Sequence, residues 1–175
     1  MPLDKKTARR QGLQARRQIP EAERKRRSAL LVQKAAPYLT EYDVIGCYVS
    51  MKDEADTHGL LSAYLEAGKT VCVPKVQGDT LVFMEITSLN DLEPGSFGVM
   101  EPVDGRIIDP DAVGLMIIPL SAYDAMNRRT GYGRGYYDRI LNDRQYKLGV
   151  AFKEQKVDQI IADPWDVTLD GVIEL

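Results

Sequence analysis

The residues best suited to chemistry lie in one stretch, Arg129-Thr130-Gly131-Tyr132-Gly133-Arg134-Gly135-Tyr136-Tyr137-Asp138-Arg139. Glycines at every second position let the backbone turn sharply and leave its N–H groups uncovered. Arg129 and Arg134 can reach anionic oxygens with forked hydrogen bonds, and the tyrosines offer flat faces. The apolar run Val113 to Pro119 comes before this stretch, and a helix-like segment from Tyr136 to Asn142 follows. A glycine-rich turn between a strand and a helix N-terminus is an anion cradle, because free amides and the helix dipole point at the ligand. The stretch therefore reads as a phosphate-binding loop. It is not a dinucleotide fingerprint, since Tyr136 stands where the third glycine belongs, and it lacks the Gly-Lys-Ser/Thr ending of a P-loop.

A second basic feature opens the chain. Up to Ala35 there are eleven Lys and Arg against three acids, which leaves the remainder acidic. Such an arm suits nucleic acid or a phosphorylated small molecule, although most of its charges are expected on solvated helix faces. Lys5 and Arg9 are four apart and share a helix face, so they can grip a polyphosphate together; Arg16 follows two turns later on a similar side. His58 is the only histidine, which removes a His-based triad or metal site. Cys47 and Cys72 each lie in an apolar run without metal-like spacing and read as reduced core residues.

The elements that must position these groups alternate. Residues 4–18 and 21–36 read as two helices split at Ile19-Pro20, the second with a buried stripe of Ala29, Leu30, Val32, Ala35 and Ala36. Residues 43–49 form a central strand, 57–67 a helix closed by Gly68, and 70–75 the next strand, the size of a βαβ unit. Gly78-Asp79 turns into Leu81 to Ile86, which reads as an antiparallel hairpin or an edge strand. Residues 91–102 look irregular, with Phe97 either a core plug or a ring offered to a ligand. Strands follow at 115–119 and 147–152, then a mixed segment at 157–161 and a last strand over 169–175. With 175 residues and no linker or repeat, the chain is expected to be one domain, residues 1–175. Its apolar runs are strand-sized and its charged start is no signal peptide, so a cytoplasmic protein without a membrane span is expected. The order argues an α/β layered fold with a largely parallel central sheet flanked by helices, and a cleft beyond the strands' carboxyl ends, between loops 50–57 and 129–137.

Over nearly its whole length the chain resembles the 5-formyltetrahydrofolate cyclo-ligase family. The resemblance rests on Lys5-x-x-x-Arg9, Met51-Lys52-Asp53-Glu54-Ala55-Asp56-Thr57, Gly95-Ser96-Phe97-Gly98-x-x-Glu101-Pro102, the Arg129–Arg139 string, Ala151-Phe152 and Asp166-Val167-x-Leu169-Asp170. Trp165 and Thr130 depart from it, where the family often carries His and Leu. The resemblance implies a Rossmann-like fold of the NagB/RpiA/CoA transferase-like kind. It also implies a reaction using ATP as co-substrate and Mg²⁺: the formyl oxygen of 5-formyltetrahydrofolate attacks the γ-phosphate, N10 closes on the activated carbon, and 5,10-methenyltetrahydrofolate, ADP and phosphate leave.

On that resemblance Lys5, Arg9, Arg129 and Arg134 neutralise the triphosphate, with Gly131, Tyr132, Gly133, Gly135, Tyr136 and Tyr137 around it. Glu54 contacts the folate, Val49 and Met51 wall it, and Phe97 and Tyr136 flank the pterin beside residues 132–135. For Tyr137 packing behind the loop is an equal reading, and Arg139 reads as an ion-pair partner on the helix. Asp138 binds Mg²⁺ and Asp170 assists. Glu54 and Arg134 are the expected catalytic residues. Other readings are a nucleotide-binding kinase or regulator with a different acceptor, and a nucleic-acid-binding protein using the basic helices. The latter is disfavoured because that basic run lacks interleaved aromatics. The expected partners are therefore the two small-molecule substrates, without nucleic acid or membrane, on a monomer or weak homodimer.

Overall fold

A computed structural model describes residues 1–175. Asp4 caps the first helix, α1 (Lys5–Gln18), by accepting from the Thr7 amide at 2.7 Å. Pro20 then starts α2 (Glu21–Ser28), which stops short of the expected end. The chain turns at Ala29 and Leu30 and resumes as α3 (Leu31–Leu39), running through Pro37. This break shifts the phase of the apolar stripe. Ser28, Leu31 and Ala35 are buried, whereas Ala29, Leu30, Val32 and Ala36, expected inside, are exposed. Two contacts hold the break: Ser28 Oγ accepts from the Asp56 amide at 3.0 Å, and Arg27 Nη1 reaches Glu154 at 2.7 Å.

The βαβ unit is present as β1 (Val44–Cys47), α4 (His58–Glu66) and β2 (Thr70–Gln77), with β1 and β2 parallel. His58 opens α4 and is half-buried. A hairpin turns β2 into antiparallel β3 (Thr80–Ile86). The region expected to be irregular contains a second hairpin, β4 (Leu92–Pro94) with β5 (Met100–Pro102), before the two-residue edge strand β6 (Ile107–Ile108). The chain then crosses to the other side of β1 for β7 (Leu115–Ile118). Next come a short antiparallel hairpin, β8 (Ala122–Tyr123) with β9 (Arg129–Thr130), and the five-residue α5 (Tyr136–Ile140). Finally β10 (Tyr146–Ala151) and β11 (Gly171–Glu174) join in parallel.

The seven-stranded sheet has the order β11-β10-β7-β1-β2-β3-β6. Its five parallel strands are mainly apolar because both faces are covered. One face packs Ile45, Cys47, Val71, Val73, Ile117 and Leu148 against Leu31, Ala35, Leu60, Leu61 and Tyr64 of α3 and α4. The other face packs Cys72, Phe83, Met116 and Ile118 under Leu120, Tyr123, Leu141 and Leu169, which come mostly from loops. Both cysteines are free and buried. The crossing direction reverses between β1 and β7, so a crevice opens at their carboxyl ends, where α/β sheets bind ligands.

Candidate active site

That crevice is a cleft of about 890 Å³, lined on one side by Tyr48, Val49, Met51 and Glu54 and on another by residues 129–139. Lys5 and Arg9 enter it from α1, and Phe97, Val99 and Glu101 enter from the β4–β5 hairpin. The two loops expected to frame the site do so. Volume of this order is at the upper end for small-molecule pockets.

The glycine loop does not leave β7 directly. The β8–β9 hairpin intervenes, and its turn is tied by Asp124, whose carboxylate accepts from the amides of Met126, Arg128 and Ile160. Ser121 Oγ then donates toward the Gly131 carbonyl at 2.7 Å, fixing where the loop begins. The helix after it has only five residues, so the dipole invoked from sequence has little length to act through. What remains is the backbone itself. The amides of residues 131–135 donate to no group of the protein. Gly133 and Gly135 have φ of 94° and 67°, the left-handed region, which explains two of the three glycines. At Gly131 a Cβ would meet Arg129 Nη2 at 2.8 Å.

The cations differ in how committed they are. Lys5 Nζ is held by Asp163 at 2.5 Å and Asp166 at 2.8 Å, two carboxylates that the sequence reading did not pair with it. Arg9 Nε donates to the Gly131 carbonyl at 3.0 Å and lines the cleft beside Gly133. The Arg129 side chain is 5% exposed; Nη2 donates to the Pro119 carbonyl, Asp138 lies 3.8 Å away, and the buried Nε has no partner. Burial pulls the Arg129 guanidinium below its ordinary value while Asp138 opposes the shift. Arg134 is exposed and lies over the Phe97 ring, 4.0 Å from its centroid. Phe97 is thus no core plug: it is 58% exposed at the mouth of the cleft, with φ of 59°.

Tyr136 lines the cleft under Arg139. Tyr137 also borders it but packs behind the loop, edge-on to Phe83 at 6.2 Å and beneath Arg129. Arg139 forms no ion pair; it donates to the carbonyls of Asp79, Arg134 and Gly135, which pins the loop to the β2–β3 turn. Glu54 is buried at 9% exposure. Its Oε1 accepts from the Met51 amide at 2.9 Å and its Oε2 from the Tyr132 hydroxyl at 2.8 Å. Burial pushes its carboxyl up, and these two donors and Arg16 oppose it.

The carboxylates fall into two groups. Asp138 lines the cleft; its Oδ1 accepts from the Val167 amide at 3.3 Å, and its Oδ2 accepts no hydrogen bond. Asp166 also lines it, but both oxygens are taken by Lys5 and the Asp163 amide. Asp170 is elsewhere. It precedes β11, at the amino end of the parallel strands, and binds the amide and Nζ of Lys147 at 2.8 and 3.1 Å. Its expected share in a metal site is not supported by this geometry. Asp166, Glu101 and Trp165 line the cleft without having been picked out for it, although all three lie in the motifs quoted above or beside them.

The protein has no helix long and apolar enough to cross a membrane. The model of the 5-formyltetrahydrofolate cyclo-ligase family matches residues 3–174. A 5-formyltetrahydrofolate cyclo-ligase of Mycoplasma pneumoniae is 32% identical over 179 residues, covering 98% of each chain. One of Mus musculus is 28% identical, covering 90% of this chain and 86% of its own. The solved 5,10-methenyltetrahydrofolate synthetase of Aquifex aeolicus superposes with a TM-score of 0.85 at 32% identity, over 97% of this chain and 89% of its own. The loop geometry, the cleft and these likenesses agree, and the chain belongs to the 5-formyltetrahydrofolate cyclo-ligase family.

Proposed function

We propose that this protein closes 5-formyltetrahydrofolate to 5,10-methenyltetrahydrofolate at the expense of ATP, with the nucleotide along residues 129–137 and α1 and the folate against Val49, Met51 and Glu54. One observation carries the assignment: free amides at residues 131–135, Arg9 from α1 and the buried Glu54 all face one cleft of about 890 Å³. Phosphoryl transfer asks chiefly for positioning and charge neutralisation, and no covalent enzyme intermediate is required. The amides, Arg9, Arg129 and Arg134 supply donors for a triphosphate, while Lys5, already balanced by Asp163 and Asp166, sets the edge of that subsite. Glu54 accepts hydrogen bonds from the folate side and orients the formyl-bearing ring. Phe97, with one face under Arg134, offers the other to the pterin, and Tyr136 flanks it.

Mg²⁺ suits this donor set, because it takes one or two carboxylates and completes its shell with phosphate oxygens and water. Asp138 is the residue that would hold it, having a carboxylate oxygen with no hydrogen bond. When bound, the ion neutralises charge on the phosphate oxygens. The test is direct. Purified protein with 5-formyltetrahydrofolate and MgATP is expected to develop the methenyl chromophore, and to do so in neither substrate's absence. Glu54→Gln and Arg134→Ala variants are expected to lose at least about 10²-fold in turnover, the scale for one donor in a preorganised site. A wild-type protein that forms ADP without the chromophore would overturn the assignment in favour of a kinase with another acceptor.

A further inference from the structure

Arg16 has no place in the nucleotide subsite, yet it is the most buried cation of α1. It is 4% exposed, two turns beyond Arg9. Its Nη2 donates to Asp53 Oδ1 at 2.8 Å and its Nη1 to the Tyr132 hydroxyl at 3.0 Å, with the Leu120 carbonyl at 3.4 Å. Its Nε is buried with no partner. A tyrosine hydroxyl has a single proton to give. With Arg16 donating to that oxygen, the proton points to Glu54 Oε2, 2.8 Å away. The relay joins α1, the glycine loop and the turn after β1, which are remote in sequence.

We propose that Arg16 is a positioning residue for the ligase reaction: through the Tyr132 hydroxyl it fixes the Glu54 carboxylate and clamps the glycine loop to the Met51–Glu54 turn. The nucleotide and folate walls of the cleft are thereby held as one unit. Arginine suits the position because one planar fork serves Asp53 and Tyr132 at once, which a point-charged ammonium on a flexible stem does not reproduce. The charge balance around Glu54 follows from its neighbours. Asp53 acts against ionisation; Arg16, the Met51 amide and the Tyr132 hydroxyl act for it. Tyr48 and Tyr137 also face it, and burial keeps both phenols protonated. A group that works as a carboxylate loses function as pH falls through its pKa. Removing Arg16 or the Tyr132 hydroxyl removes opposition to the burial effect, so the acid limb moves to higher pH.

This inference rests on the reading that Glu54 faces the folate, and the experiment separates the two. kcat/KM for 5-formyltetrahydrofolate is measured against pH, with KM for ATP and thermal melting, in wild type, Arg16→Lys, Arg16→Met, Tyr132→Phe and Glu54→Gln. Arg16→Met and Tyr132→Phe are expected to raise the acid limb by about half a unit or more and to lower kcat/KM for folate about 10-fold, the size of a lost hydrogen bond to a charged group. KM for ATP should rise by less than the folate term, because Arg9, Ser121 and Arg139 still tie the glycine loop, and Arg16→Lys should recover part of the folate term. Tyr132→Phe leaves the buried guanidinium and its Asp53 partner in place, so it decides the matter if Arg16→Met fails to fold. An acid limb unmoved in Tyr132→Phe, with Glu54→Gln inactive, overturns the role of Arg16 while leaving the site reading standing. Full activity in Glu54→Gln removes the site reading and the inference with it.

Discussion

Gly12 lies in the interior of α1, where alanine is ordinarily preferred by about 1 kcal/mol. In this protein the sign should reverse. A Cβ at Gly12 would fall 2.0 Å from the Ser121 carbonyl oxygen and 2.8 Å from Ala122 Cβ, far inside the 3.4 Å at which ordinary contact begins. The carbonyl has little freedom to turn away, since it also accepts from Gln155 Nε2 at 3.0 Å. The helix must therefore back off β8 by more than about 1 Å, and overpacking of this kind costs about 1–3 kcal/mol. Set against the propensity gain, the net loss reaches about 2 kcal/mol, which for a chain of this length lowers the melting temperature by up to about 8 °C. The same displacement withdraws Lys5 and Arg9 from the cleft, and misplacement on the order of 1 Å can cost 10²-fold in rate. Gly12→Ala is thus expected to melt earlier and to lose about 10- to 100-fold in kcat/KM for ATP, followed by circular dichroism and initial rates. A variant as stable as wild type with unchanged ATP kinetics would refute the packing argument.

The two aspartates once grouped as metal ligands should separate. Asp138→Asn should cut turnover at saturating MgATP by at least about 10-fold with little change in folate KM, the pattern of a group needed at the phosphates. Asp170→Asn should leave turnover within about 2-fold, while the loss of the carboxylate beside Lys147 lowers stability by about 1 kcal/mol, discounted for its partial exposure. At Phe97, where φ is 59°, Phe97→Gly should relieve backbone strain and hold or raise the melting temperature by relief of about 1 kcal/mol. It should nevertheless raise KM for folate several-fold, because the stacked ring is gone; a lower melting temperature with unchanged KM would reject that view of the loop.

Much of this architecture was legible because its determinants are local. The apolar runs over Val44–Cys47 and Leu115–Ile118 are strands buried on both faces, and the glycine spacing at 131–135 reflects left-handed backbone at two positions and a guanidinium under the third. Lys5 and Arg9 enter one cleft because four residues make about one helical turn. The misreadings have a common origin in contacts between distant segments. Nothing near Ala29 announces a helix break; Ser28 meeting Asp56 and Arg27 meeting Glu154 set it. Two-residue strands such as those of the β8–β9 hairpin are too short for alternation to register. Asp170 follows a family motif in the sequence, but the strand it precedes points its carboxyl end the other way. The Arg16–Tyr132–Glu54 relay joins positions that no periodicity relates.

On the proposed function a triphosphate lies against the uncovered amides of residues 131–135 with Arg9 beside it, facing a folate held at Glu54. A crystal structure with ADP and 5-formyltetrahydrofolate bound tests it most directly. Phosphate oxygens are expected within hydrogen-bond distance of those amides, with the formyl group on the Glu54 side. Density for nucleotide elsewhere on the protein, with the glycine loop bare, would contradict it.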